Sequence, residues 1–328
     1  MMNNDAKRRF RPMGIADILD ESFDLYKTDF VMLIGIAAVM YVPSFLIYGM
    51  LDSTRAQDPK DPMAALTALG PVILMGFLLL AVIQPFITAV LTYAISERYV
   101  GRTVTIESAY KRIAKTSVLL PFFGAIALKW LALMGAYFGI LAAVALPVVV
   151  VGLAAPVLAA LIGLILGVPG VVLLLRVYLG LTLVEPAVII EGQGAGAALS
   201  RSWDLMKGYA LKGFWLLLII GIALFFIQAA LTGTTKTIIM MKQFSGQEAS
   251  AGIVWLDRIL DAVLSTLTMP IASIVMILLY YDIRMRKEGF DLVLLARELD
   301  TTSRAQSFTT LPLPQEQAKP EEGGSQGA

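Results

Sequence analysis

The sequence predicts an all-α membrane protein, a polytopic transmembrane bundle of six helices. Its composition is 58% hydrophobic and only 16% charged, whereas a soluble domain has about 25% charged residues. Residues 118–184 carry just two charges, Lys129 and Arg176. Because a helix needs about 20 apolar residues to cross a hydrocarbon core of ~30 Å, this stretch crosses the membrane more than once.

The apolar runs divide the chain into six predicted spans. Within residues 118–184 the apolar pattern is interrupted at Pro147, Gly152 and Pro156, which predicts that this stretch turns back as a hairpin. Three spans in this stretch are also possible by length alone. The predicted spans are residues 31–51, 70–95, 118–148, 155–184, 213–232 and 260–281.

The polar segments complete the domain organisation. Residues 1–11 form a basic cytoplasmic tail, and residues 12–300 form the membrane domain. Residues 232–252 are predicted to be a polar loop between the last two spans. Residues 301–328 are rich in Pro, Glu, Gln, Gly and Ser, a composition that cannot bury a core, and they are predicted to be a disordered cytoplasmic tail.

The distribution of basic residues decides between two and three spans in the long apolar stretch. With six spans in total, 19 of the 26 Lys and Arg residues lie on one side of the membrane. Basic residues prefer the cytoplasmic side, so both termini are predicted to be cytoplasmic in a multi-pass protein of the bacterial inner membrane. A third span within 118–184 would place 185–214 outside, against this preference.

Three amphipathic segments recur along the chain. They begin near Ile15, Ile106 and Ala197, about 91 residues apart, and each precedes a pair of spans. Their apolar residues follow helical spacing, which is typical of helices that lie at a membrane surface. The sequence therefore predicts three repeats of one interfacial helix plus one transmembrane hairpin.

The residue types exclude several kinds of chemistry. The chain has no cysteine and no histidine, so it lacks disulfides, thiol catalysis and the commonest general base. The carboxylates of Asp17, Asp20, Glu21 and Asp24 are predicted to form a solvated helix face rather than a metal site. No cofactor, metal site, nucleic-acid partner or enzymatic activity is predicted.

Three stretches carry a resemblance to a known family. They are RPMGIADILDESFDLYKTDF, VEPAVIIEGQGAGAALSRSWDLMKGY and LLYYDIRMRKEGFDLVLLARELD, within residues 10–300. The chain resembles the glycerophosphoryl diester phosphodiesterase membrane-domain family of multi-span bacterial proteins. In that family a catalytic barrel is sometimes joined to the membrane domain. Only a short tail follows Asp300 here, so the resemblance implies the fold without the phosphodiesterase activity.

The two charges of the long apolar stretch are the first candidates for a site. Lys129 and Arg176 lie at similar distances from the predicted turn, so that both cations are able to face one cavity. Charges inside spans are costly and suggest a site, here one that binds an anion such as a lipid phosphate, with Glu185 nearby. The alternative is that the cations extend to the membrane surface or pair with Glu185 or Glu191.

Two glycine pairs lie on the same predicted hairpin. Gly135 and Gly139 occupy one arm, and Gly163 and Gly167 occupy the other. Small residues at this spacing allow two transmembrane helices to approach closely. We therefore predict that these glycines pack the hairpin and do not bind a ligand.

The predicted function is that of a non-enzymatic integral membrane protein. Its large amphipathic surface favours a role in organising lipids or partner proteins at the cytoplasmic membrane face. Its partners would be membrane lipids and a protein bound at that face. The alternative is a transporter or flippase for an anionic or lipid-like substrate, which the intramembrane cations and the repeat both favour.

Overall fold

The computed structural model describes residues 12–41, 43–44, 47 and 62–289. Every regular element in these ranges is a helix, which confirms the predicted all-α fold. The helices are α1 (Ile15–Thr28), α2 (Phe30–Ala38), α3 (Pro62–Leu78), α4 (Gln84–Tyr99), α5 (Ile106–Ile113), α6 (Thr116–Gly152), α7 (Pro156–Gly180), α8 (Val184–Glu191), α9 (Ala195–Met206), α10 (Ala210–Phe244) and α11 (Ala251–Glu288). A π-helical turn, Leu79–Ile83, joins α3 to α4 just before Pro85, whose ring nitrogen has no hydrogen to donate within a regular helix.

Five helical segments in the described part of the chain are long and apolar enough to cross a membrane. They are Gly70–Tyr99, Thr116–Gly152, Pro156–Glu191, Ala210–Phe244 and Ala251–Glu288. The first predicted span, 31–51, coincides at its start with α2, and most of its second half lies outside the described residues. The tails 1–11 and 301–328 also lie outside them. The fold is therefore that of a multi-helix membrane protein with five candidate spans among the described residues.

The long apolar stretch forms one hairpin, as predicted. Helix α6 ends at Gly152 and α7 begins at Pro156. The arms approach closely at Gly170, where an added Cβ would lie 2.7 Å from Cγ2 of Ile140. The predicted glycine pairs are mostly not at this contact, because a Cβ on Gly135, Gly139 or Gly167 would meet no atom of a neighbouring element within 4 Å; only Gly163 faces the other arm.

The predicted polar loop at 232–252 is wrong over most of its length. Helix α10 continues through it to Phe244, and α11 begins at Ala251. Two polar side chains of this segment, Thr235 and Lys236, bond to the facing helix α11. The Thr235 hydroxyl donates to Asp257 Oδ1 at 2.5 Å, and Lys236 Nζ lies 2.8 Å from an oxygen of Asp261.

The three amphipathic segments are helices α1, α5 and α9, close to the predicted positions. Each buries one side against the rest of the protein. Helix α1 packs on α11, α5 packs on α2, α4 and α6, and α9 packs on α6, α7, α8 and α11. The buried residues are Ile18, Ser22 and Leu25 of α1, Ala109 and Ile113 of α5, and Ala198, Ser202, Leu205 and Met206 of α9.

Candidate functional site

Three groups of buried or half-buried charges meet at one end of the bundle, which we call the basic end. Here α4, α8 and α11 finish and α2, α6 and α10 begin. The first group joins Arg98, near the end of α4, to the buried carboxylate of Asp29 just before α2. Beside it the Tyr99 and Tyr281 rings lie 5.1 Å apart, and the Tyr281 hydroxyl lies 2.7 Å from the Ser96 hydroxyl.

The second group surrounds Asp282, a fully buried carboxylate near the end of α11. It accepts hydrogen bonds from the backbone N–H of Met13 at 2.7 Å and from Arg286 Nε at 3.0 Å, and it forms an ion pair with Lys212. The Met13 carbonyl accepts from Lys212 Nζ at 2.7 Å and from Arg286 at 2.8 Å. A buried charge is tolerated only when it is paired and hydrogen-bonded, and these donors meet that condition.

The third group is a ring of two carboxylates and two guanidiniums. Glu191 at the end of α8 accepts two hydrogen bonds of 2.8 Å from Arg201, which also pairs with Glu288 at 2.5 Å. Arg284 Nε closes the ring, at 3.3 Å from Glu191 and 3.1 Å from Glu288. The Tyr280 hydroxyl also donates to Glu191. The hydrogen bonds to Glu191 and Glu288 raise the pKa of Arg201 above its usual value.

These three charged groups hold the elements of the basic end together. They connect the segment before α1, the end of α8, helix α9, the start of α10 and the end of α11 through side chains of both signs. The sequence does not indicate the carboxylate partners of Arg284 and Arg286, which are Glu191, Glu288 and Asp282. The missing information is which helices meet, because partners such as Arg286 and Met13 are 273 residues apart in the chain.

The predicted site residue Lys129 is engaged by Glu185. Its Nζ lies 3.0 Å from Glu185 Oε1, and the two side chains are 15% and 26% exposed. The pair joins α6 to α8 within the apolar part of the hairpin. It matches the alternative that the sequence left open, in which a carboxylate neutralises the buried ammonium.

Arg176 lies elsewhere, in a shallow cleft between α7, α9 and the start of α10. Its guanidinium carbon lies 5.9 Å from the centre of the Trp203 ring. The cleft is also lined by Gly180, Met206 and Lys207, and Lys129 does not line it. Arg176 and Lys207 form no ion pair with any carboxylate of the described residues, so the cleft holds two cations and one indole ring.

Gly180 makes room for this arrangement. A Cβ at this position would collide with the six-membered ring of Trp203. Ser202, next to the tryptophan, donates to the Gly180 carbonyl at 2.7 Å and accepts from the Leu183 N–H at 3.0 Å. These contacts fix α9 against the end of α7. Arg176 is recognisable in the sequence because it interrupts an apolar run. Trp203 and Lys207 are not recognisable as its neighbours, because the sequence does not indicate which element α9 contacts.

The acidic cluster of α1 is a solvated face, as predicted. Asp17, Asp20 and Asp24 are exposed, and Asp17 accepts a 2.7 Å hydrogen bond from the Gly14 N–H at the start of the helix. Among the described residues, no group of three or more acidic, histidine or cysteine side chains is arranged to hold a metal ion.

Comparison with protein-family models, curated proteins and solved structures finds no match to this chain. The fold and the charged groups therefore define its class by themselves: an all-helical protein with membrane-length helices and an ion-paired basic end. Within that class the Arg176, Trp203 and Lys207 cleft offers two cationic donors and an aromatic ring, a combination suited to a phosphate group at a membrane surface.

Proposed function

We propose that this chain is a non-enzymatic membrane protein that binds anionic lipids and organises them at the cytoplasmic membrane face. In this proposal it has six spans, both termini are cytoplasmic, and the basic end faces the cytoplasm of a bacterial cell. The bias of Lys and Arg toward one side supports the orientation. The resemblance to the glycerophosphoryl diester phosphodiesterase membrane-domain family supports the class and stays a prediction.

The observation that carries the proposal is the cleft of Arg176, Trp203 and Lys207. Guanidinium and ammonium groups form charge-assisted hydrogen bonds with phosphate oxygens, and tryptophan favours the level of the lipid headgroups. The cleft opens where α7 reaches the basic end, beside the exposed face of α9. A lipid phosphate there would contact both cations while its acyl chains lie along α7 and α10.

The ion pairs and hydrogen bonds that hold the basic end together support a scaffold role. An ion pair of Arg201 with Glu288 holds α9 to the end of α11, and hydrogen bonds of the Met13 backbone hold the segment before α1 there. The surface helices α1 and α9 therefore keep fixed positions relative to each other. Phe23 of α1 and Phe30, the first residue of α2, are 44% and 40% exposed, which gives this part of the chain apolar contacts with a membrane surface or a partner protein.

The threefold repeat is part of the proposal. Helices α1, α5 and α9 each precede an apolar helix (α2, α6 and α10), and their first residues are Ile15, Ile106 and Ala195. Helices α8 and α11 both end in a Glu-Gly step, with positive φ at Gly192 and Gly289. These similarities support a common unit of one surface helix followed by one hairpin.

A transporter or flippase is the second candidate function. The observation that favours it is the ion pair of Lys129 and Glu185, since ionisable side chains within apolar helices commonly mark a substrate pathway. Under this candidate an anionic headgroup would compete with Glu185 for the ammonium during transfer.

The test compares lipid binding with lipid transfer in the full chain. The purified protein is titrated with a short-chain phosphatidylglycerol and with the matched phosphatidylcholine, and bound lipids are counted by native mass spectrometry. Arg176→Gln with Lys207→Gln should reduce binding of the anionic lipid by about tenfold or more, whereas Lys242→Gln at the other end should not. Equal binding by all variants would refute the lipid-binding proposal.

The same protein in liposomes separates the two functions. Transfer of a fluorescent anionic lipid between leaflets, abolished by Lys129→Met, would establish the second candidate. Lipid binding without transfer between leaflets would support the scaffold function and exclude the second candidate.

A further inference from the structure

A second cleft lies at the basic end between α4, α5, α6 and α8. It has a volume of about 60 Å³. Its polar lining consists of Tyr93, Arg112, Ser117 and Gln193, and its apolar wall includes Val118 and Val188. None of its lining residues takes part in the Arg176 cleft, so the two clefts are separate places on the molecule.

Two corresponding places at the basic end are filled by carboxylates of the protein itself. Where α2 begins and α4 ends, Asp29 binds Arg98. Where α10 begins and α11 ends, Asp282 binds Lys212 and Arg286. In each case a buried carboxylate pairs with the Arg or Lys side chains that lie between the start of one helix and the end of another.

The second cleft is the corresponding place for α6 and α8, and no acidic side chain lines it. Arg112 is exposed, and it forms no ion pair with any carboxylate in the described part of the chain. The nearby Glu191 is already committed to Arg201, Arg284 and Tyr280. Arg112 therefore lacks the internal anion that the cations of the other two junctions have. The ion pair of Lys129 with Glu185 also joins α6 to α8, but neither residue lines this cleft.

The turn after α8 brings an amide to the cleft. Gly192 ends α8 with φ of +70°, a left-handed conformation that glycine adopts without strain. The chain then turns sharply, and Gln193 reaches the cleft while α9 begins at Ala195. Gln193, Ser117 and Tyr93 supply an amide and two hydroxyls, all of them able to donate to an oxyanion.

We infer that this cleft binds a phosphate group, with Arg112 taking the place that Lys212 and Arg286 occupy beside Asp282. The guanidinium forms charge-assisted hydrogen bonds to the phosphate oxygens, and the amide and hydroxyls complete its coordination. The phosphate belongs either to a lipid headgroup, whose glycerol and first methylenes lie on Val118 and Pro121, or to a free phosphate compound. The site goes beyond the proposed function, because it is separate from the Arg176 cleft.

The test measures binding of three probes to the full chain in detergent: inorganic phosphate, a short-chain phosphatidic acid, and the matching phosphate-free diacylglycerol. Arg112→Gln should weaken binding of a phosphate-bearing probe by about tenfold or more, and Arg112→Lys should restore part of the loss. Lys115→Gln is the matched control, since it removes an exposed cation three residues away that does not line the cleft. Unchanged thermal unfolding of each variant shows that the fold is kept.

The outcomes are distinct. Binding of both phosphate probes, weakened by Arg112→Gln alone, supports a site for the phosphate group itself, and binding of phosphatidic acid only supports a lipid site. Equal losses with Lys115→Gln, no loss with Arg112→Gln, or equal binding of diacylglycerol would each overturn the inference. Arg176→Gln with Lys207→Gln should leave the Arg112-dependent binding intact, so the two sites fail or succeed independently.

Discussion

Lys129 Nζ of α6 lies 3.0 Å from Glu185 Oε1 of α8, and this ion pair connects two helices that are apolar along most of their length. The pair converts an isolated ammonium, which is expensive at membrane depth, into a neutral contact. Lys129 therefore contributes to the structure of the hairpin in addition to any role with a substrate.

Glu185→Gln should destabilise the protein by about 1–3 kcal/mol, because it leaves the ammonium of Lys129 without its charged partner. The double variant Lys129→Met with Glu185→Met should be more stable than the single variant, since no unpaired charge remains. Reversible unfolding in mixed detergent micelles measures both. A double variant less stable than Glu185→Gln would contradict a structural role of the pair.

Asp282→Asn should be more damaging, with a loss of about 3 kcal/mol or more. The change leaves Lys212 and Arg286 without the buried carboxylate that both contact. The matched control is Asp20→Asn, which neutralises an exposed carboxylate on α1 and should change the unfolding free energy by less than about 0.5 kcal/mol. Similar losses for the two variants would refute the importance of the buried cluster.

Gly180→Ala should lower the unfolding temperature, because the added methyl group collides with the Trp203 ring. Gly167→Ala is the control within the same helix. Its Cβ would meet open space, and alanine is favoured over glycine in a helix by about 1 kcal/mol. The unfolding temperature should fall for Gly180→Ala and rise for Gly167→Ala. An unchanged unfolding temperature for Gly180→Ala would contradict the close contact between Gly180 of α7 and Trp203 of α9.

Alkaline pH should weaken the attachment of α1 and α5. Burial raises the pKa of Tyr26 and of Tyr110 above the usual value of about 10. Their hydroxyls donate to the Leu267 and Ile36 carbonyls at 3.0 and 2.9 Å. Because the folded state holds both phenols protonated, this contribution is complete below about pH 10 and is lost as the pH rises through the raised folded-state pKa.

Unfolding temperatures measured from pH 8 to pH 11 test this dependence. The double variant Tyr26→Phe with Tyr110→Phe should lose less stability between those limits than the parent protein does. Its deficit relative to the parent should therefore shrink as the pH rises. Parallel curves for the two proteins would contradict the assignment.

The proposed six-span topology is open to direct labelling, since the chain contains no cysteine. Lys207→Cys should react with an impermeant maleimide only from the cytoplasmic side, and Lys242→Cys only from the opposite side. Gln57→Cys should behave like Lys242→Cys, because six spans place residues 52–61 outside. Cytoplasmic labelling of Gln57→Cys would exclude a span at 31–51.

Apolar length and helical periodicity were sufficient to predict most of the helices. The turn between α6 and α7 and the positions of α1, α5 and α9 follow from Pro, Gly and the spacing of apolar residues. The extension of α10 to Phe244 was not predictable in this way, since Thr235 and Lys236 look solvated until Asp257 and Asp261 are brought opposite them.

The surroundings of the charged side chains were likewise not predictable from the sequence. Lys129 and Arg176 attracted attention because they interrupt an apolar run, yet they lie in different surroundings. The deeply buried carboxylates Asp29 and Asp282 occur in ordinary polar stretches of sequence, and only the packing of distant helices shows that they are buried.

The hydrogen bond between Met13 and Asp282 spans 269 residues of chain, and this distance has a consequence for biosynthesis. The segment before α1 leaves the ribosome 269 residues ahead of its carboxylate partner near the end of α11. Helix α1 also packs on α11, so it acquires this neighbour only after the helices between them have been synthesised. Docking of α1 on α11 therefore reports that the intervening helices have been made.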